Sequence, residues 1–118
     1  MFKVVIIGGE STKDYDFFEK KCIQCLKNKA KTDTVMIYTI GDSYVERFSK
    51  RFGIDVRFFV SKFKRKTSAL NRRNEEMLSD ANALIAFNDK LKSTTTIIEK
   101  ANEKKIPSRI IEYSSTLP

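Results

Sequence analysis

Gly8-Gly9, at the end of an apolar run, is the first place in this chain where backbone can approach a ligand closely. Glycine adopts positive φ freely and leaves its N–H uncovered. Gly8-Gly9-Glu10-Ser11 leads towards a helix start, where free N–H groups favour an anion. A plain tight turn explains the same pair. Lys92-Ser93-Thr94-Thr95-Thr96 is a second such place. Three successive threonines are poor interior helix formers, but at a first helical turn they offer hydroxyls and backbone donors together. A cation precedes them, so the set can cradle a phosphate; simple capping by Ser93 is the alternative. Arg72-Arg73-Asn74 supplies a third element. Arg73 can hold a phosphate bidentately, and Asn74 can bond a base, a ribose or its own backbone.

The carboxylates near these segments are Glu10, Asp42 and Glu99. In a glycosidic cleavage, Glu99 or Glu10 would stabilise an oxocarbenium charge or activate water. Asp42 serves a ligand or caps a helix. Cys22-x-x-Cys25 falls about two turns inside a helix, on its apolar face, so it reads as core rather than as a redox pair.

The composition closes off other chemistry. The 118 residues include no His and only two Cys. No Ser-His-Asp or Cys-His pair and no histidine base is available. Two cysteines cannot complete a zinc site of the common kinds, and no metal or cofactor signature is present. No apolar stretch approaches the roughly 20 residues of a membrane span, and the start is too short for a signal peptide. The expectation is a cytoplasmic protein with reduced cysteines and no membrane partner.

The formal net charge is +8, and seven basic residues without an acid fall between Arg57 and Arg73. Such a surplus attracts phosphate, on a nucleotide or on nucleic acid. Phe58, Phe59 and Phe63 interleave with Arg57, Lys62, Lys64, Arg65 and Lys66, an arrangement that suits stacking on single-stranded nucleic acid. A solvated loop and helix face is the plain alternative.

The elements that must position these residues follow from the apolar period. Phe2 to Ile7 reads as a buried strand. A helix follows over 13–30, with Ser11 or Thr12 as its cap and Phe18, Cys22, Cys25 and Leu26 on one face. Residues 35–40 read as a second strand, and Asp42 caps a helix that Gly53 ends. Residues 54–60 read as a third strand with Val56, Phe58 and Val60 on one face, followed by a loop over 61–66. The remaining elements are a helix from Thr67 or Ser68 to about Ser79, a strand over 83–87, a helix starting at Ser93, and a strand over 109–113.

The spacing predicts an α/β fold: one Rossmann-like three-layer domain over 1–113 with a frayed tail at 114–118. Right-handed crossovers in a doubly wound sheet give about five mainly parallel strands in order 3-2-1-4-5. The ligand crevice then lies between the carboxyl ends of strands 1 and 4, where Gly8-Gly9-Glu10-Ser11 meets residues 88–96.

Several stretches match the small YspA/YpsA-related branch of the SLOG superfamily, named for the SMF/DprA and LOG proteins. Ile7-Gly8-Gly9-Glu10-Ser11 resembles its opening strand and Gly-rich turn. Asp42, Val45, Phe48, Ser49 and Gly53 fit its second turn and helix, although residues 36–40 replace a Gly-Gly-Ala segment. Ala69 to Leu78 resembles its Ala-Gly-Pro-x-Arg-Asn-x-x-Met stretch, keeping Arg73, Asn74 and Met77. Ser93-Thr94, Ala101 and Lys105-Ile106-Pro107 fill its last motif, with Ser93 where Gly is usual. The resemblance implies a Rossmann-like fold that binds nucleotides or nucleotide-derived ligands. Some members hydrolyse nucleoside monophosphates at the N-glycosidic bond; of their motif only Thr96-x-x-Glu99 remains. Others sense nucleotide signals, and the DprA branch binds single-stranded DNA.

The expectation is a nucleotide-binding domain with a sensing or sequestering role and no cofactor. Gly8, Gly9, Ser93, Thr94 and Thr95 would hold phosphate, with Ser11, Asp42 and Lys92 beside them. Arg73 would neutralise it and Asn74 would orient the ribose. The alternatives are an N-glycosidic hydrolase using Glu99 or Glu10, and a single-stranded nucleic-acid binder using the 57–73 segment. A homodimer through an apolar helix face is compatible with the pattern.

Overall fold

A computed structural model of the chain describes residues 1–61 and 67–113. The expected tail and the basic residues Lys62, Phe63, Lys64, Arg65 and Lys66 lie outside them. Five strands, β1 (Phe2–Ile7), β2 (Val35–Thr39), β3 (Asp55–Phe58), β4 (Ala83–Phe87) and β5 (Ser108–Ile111), form one sheet in the order β3-β2-β1-β4-β5. Every pairing is parallel. The expected α/β three-layer architecture and strand order are present.

Four helices cover the two faces: α1 (Tyr15–Thr32), α2 (Ser43–Phe52), α3 (Thr67–Ser79) and α4 (Lys92–Glu103). Alternate residues of β1 feed two separate cores, as the period of two in a strand requires. Val4 and Ile6 pack with Phe18, Cys22 and Leu26 of α1 and with Val45 and Phe48 of α2. Val5 and Ile7 pack with Met77 and Leu78 of α3 and with Ile97 and Ala101 of α4. α1 and α2 therefore share one face, α3 and α4 the other. β1 is buried on both sides, which explains its nearly continuous apolar sequence.

Some boundaries differ from the sequence expectation, each for a local reason. A 3-10 turn at Gly9–Thr12 precedes α1, and the cap of α1 is Asp14, whose carboxylate accepts the Phe17 N–H. Thr12 is instead folded back, its hydroxyl donating to the Gly9 carbonyl at 2.8 Å. β3 is shorter than expected and forms an edge. Phe58 is 41% exposed and Val60 75% exposed, while Phe59 is buried against Tyr38. α4 begins at Lys92 after Leu91, so Ser93 lies inside the first turn and is not the cap. Asp42 caps α2, and Gly53 ends it at φ 64°, both as expected.

Candidate functional site

β1 lies between β2 and β4 in the sheet, so the segments that follow the carboxyl ends of these three strands are neighbours. Gly8 has φ 78°, and a Cβ there would lie 2.3 Å from the Phe87 carbonyl oxygen of β4. A Cβ on Gly9 would lie 2.3 Å from the Phe18 ring. Both glycines are thus required by the protein's own packing, which seats the turn against β4 and α1.

The Gly9 N–H donates to Asp42 Oδ2 at 2.7 Å, and the Glu10 N–H reaches the same oxygen at 3.3 Å. Asp42 Oδ1 accepts the Tyr44 N–H at 2.9 Å. One buried carboxylate therefore fills the donor set of the glycine turn and caps α2 together. Burial pushes the Asp42 carboxyl above its ordinary value; the Tyr44 and Gly9 N–H groups oppose that rise and the Glu10 charge adds to it. Glu10 is engaged as well: its Oε2 accepts the Ser43 N–H at 3.0 Å and the Ser43 hydroxyl at 2.6 Å. The expectation that Gly9 holds phosphate meets an internal competitor. Gly9's N–H is occupied internally, and two carboxylates stand where an anion would come.

The β4 side of the crevice is different. The first intrahelical bond of α4 runs from the Thr95 N–H to the Leu91 carbonyl at 3.0 Å. Leu91 provides no side-chain cap, and no acid lies in the first turn. The N–H groups of Lys92, Ser93 and Thr94 consequently have no intrahelical partner. Thr94 is buried, whereas Lys92, Ser93 and Thr95 are exposed. The Thr95 and Thr96 hydroxyls bond back to the carbonyls of Leu91 and Lys92. They act on their own helix, a use of threonine that position in the sequence alone does not reveal. The two halves of the crevice are tied by the Ser11 hydroxyl, which bonds Asp89 at 3.1 Å.

Comparison with protein-family models, with curated proteins and with solved structures finds no match.

Arg73 lies half-buried on α3. Its Nε and Nη2 donate to Asn74 Oδ1 at 3.2 and 3.0 Å. Asn74 is buried on the sheet-facing side of the helix, in line with Met77 and Leu78. No carboxylate among the described residues pairs with Arg73, and burial lowers the affinity of its guanidinium for the proton. A partly desolvated cation held by a neutral amide has spare capacity for an anion. No direct bond links this pair to Ser93 or to the glycine turn.

Glu99 is placed elsewhere. At about 100° per residue it lies on the side of α4 opposite Thr94, Ile97 and Ala101, and it is exposed. Glu10, the alternative candidate acid, is bonded to Ser43 at the start of α2 instead. No cluster of three metal-ligating side chains occurs among the described residues. Cys22 is buried in the α1 core and burial pushes its thiol far up, as expected for an unreactive side chain. No described helix is long and apolar enough to cross a membrane.

Proposed function

We propose that this domain binds a nucleotide or nucleotide-derived ligand without turning it over, with the ligand's phosphate at the α4 N-terminus. The observation that carries the reading is the open first turn of α4. It lies at the switch point of a doubly wound sheet, with Lys92 and the Ser93 hydroxyl beside its free N–H groups. Arg73, braced by Asn74, supplies a cation with no carboxylate of its own. Asp42 and Glu10 are engaged at the start of α2, which leaves the α4 side for the phosphate. A binding role fits the outward position of Glu99 and the commitment of Glu10 to the start of α2.

A thermal-shift screen with nucleoside mono- and diphosphates, ADP-ribose, NAD and cyclic nucleotides tests this. The expected result is a shift with one small nucleotide that persists at high salt and disappears in Arg73→Ala and Ser93→Glu. Release of free base from nucleoside monophosphates, lost in Glu10→Gln, would overturn the non-catalytic reading.

A second reading rests on a different surface. The Arg57 guanidinium lies 4.4 Å from the centroid of the Phe59 ring, beside the exposed Phe58 and Val60. This edge opens the basic run of the sequence, and single-stranded nucleic acid is the ligand it suits. A steep loss of affinity with salt, together with indifference to mononucleotides, distinguishes the two readings.

A further inference from the structure

The far edge of the sheet carries a feature that neither reading uses. Among the described residues, β5 pairs with β4 alone. The Pro107 carbonyl accepts from Leu84, and the Ile111 carbonyl accepts from the Asn88 N–H. Backbone groups alternate sides along a strand, so Pro107, Arg109 and Ile111 turn theirs towards β4. Ser108, Ile110 and Glu112 turn their N–H and C=O groups outward, to an edge that pairs with no other strand among the described residues.

Beside this edge lies a groove of about 350 Å³ whose other wall is α1. Phe17, Cys25 and Ile111 contribute its apolar surface, and Lys21 and Arg109 its charge. Ile85 and Phe87, the register partners of Arg109 and Ile111, belong to the α1-side core. Arg109 and Ile111 therefore project over that same face, into the groove, whereas Ile110 projects over the other face and is 39% exposed.

The groove carries two cations, Lys21 and Arg109, against one acid, Glu112. Neither Lys21 nor Arg109 has a carboxylate partner among the described residues; Lys21 has only the Phe17 ring, 5.7 Å away. Glu112, the one acid of the lining, accepts from Asn88 Nδ2 at 3.0 Å. A strand added along this edge would bring one of its side chains beside Arg109. A strand with an acid at that position would gain an ion pair.

We propose that the outer edge of β5 takes an extended acidic peptide segment as a sixth strand. Backbone bonds form to Ser108, Ile110 and Glu112. An acidic side chain enters the groove between Lys21 and Arg109, and the alternate apolar side chain packs beside Ile110. This is strand addition, with affinity from the main chain and selectivity from the groove.

The test titrates the full chain with an end-blocked peptide of alternating Glu and Ile, and with the same peptide carrying Lys for Glu. The expected result is that only the Glu peptide binds. It shifts the amide signals of Ser108, Ile110 and Glu112, slows their hydrogen exchange and shields Cys25 from alkylation. Arg109→Glu is expected to weaken the Glu peptide by about tenfold or more and to admit the Lys peptide. Ile110→Pro removes one outward N–H without touching the β4 ladder. It is expected to abolish peptide binding while the circular dichroism spectrum stays unchanged. Equal binding of the two peptides, amide shifts confined to other elements, undiminished binding by Ile110→Pro, or no binding at millimolar peptide would each overturn the proposal.

Discussion

Asp42 ties the glycine turn after β1 to the start of α2. Its carboxylate joins two segments 33 residues apart by accepting from Gly9 and, on its own helix, from Tyr44. Asp42→Ala removes a helix cap and leaves the buried Gly9 N–H unpaired, so a loss of about 2–4 kcal/mol is expected, measured by urea denaturation. The pH dependence has a definite sign. Burial raises the folded carboxyl above its unfolded value, so the folded state holds the proton over the window between the two. The Asp42 contribution is then full below the unfolded value and falls as pH rises through the folded one. The deficit of Asp42→Asn relative to the parent is expected to be larger at acid than at neutral pH. Equal deficits across that range would show that Asp42 titrates alike in both states. The sequence revealed the capping role because cap and helix are adjacent. The bond to Gly9 was not legible, because no local pattern says which carboxylate a glycine turn will meet.

At the scale of elements, the change from a period of two to one of 3.6 located all five strands and all four principal helices. Where it failed, tertiary placement decided the outcome. β3 has the composition of a buried strand, yet it lies at the sheet edge, so Phe58 and Val60 face outward and Phe59 turns inward. Ser93 has the chemistry of a cap, but the chain enters α4 one residue earlier. The α1 register was legible because Phe18 begins its apolar face, and the structure encloses that ring with Tyr15, Tyr44, Phe48 and Phe87. Phe18 is fully buried, and Phe18→Ala is expected to cost about 3–5 kcal/mol, read as a shift in denaturation midpoint. The start of α4 gives an opposite prediction. Ser93→Glu places a negative charge where the helix dipole favours one. It should raise stability by about 0.3–1 kcal/mol while abolishing nucleotide binding. A variant that loses stability and binding together would assign Ser93 a structural role instead.

For the whole molecule, charge and architecture pull towards different ligands. The net charge of +8 comes largely from one segment of the sequence, whereas the proposed nucleotide position has the Asp42 and Glu10 carboxylates on one side and the first turn of α4 on the other. Salt separates the two contributions. A small nucleotide held by a few directed N–H bonds and one guanidinium releases few counterions, so its affinity should change little between low and physiological salt. A single strand lying along the basic run would neutralise several phosphates. With the five cations from Arg57 to Lys66, the slope of log affinity against log salt would reach about −3 to −4. The informative experiment measures both ligands on the same protein and then on Arg57→Ala and Arg73→Ala. Arg57 stacks on Phe59 at the β3 edge, and Arg73 is held by Asn74 on α3. Loss of nucleotide binding in Arg73→Ala, with the strand's salt slope unchanged, would assign the two ligands to separate surfaces. If Arg57→Ala weakens both ligands equally, the crevice and the basic edge are one electrostatic site, and the separate phosphate position at α4 is wrong.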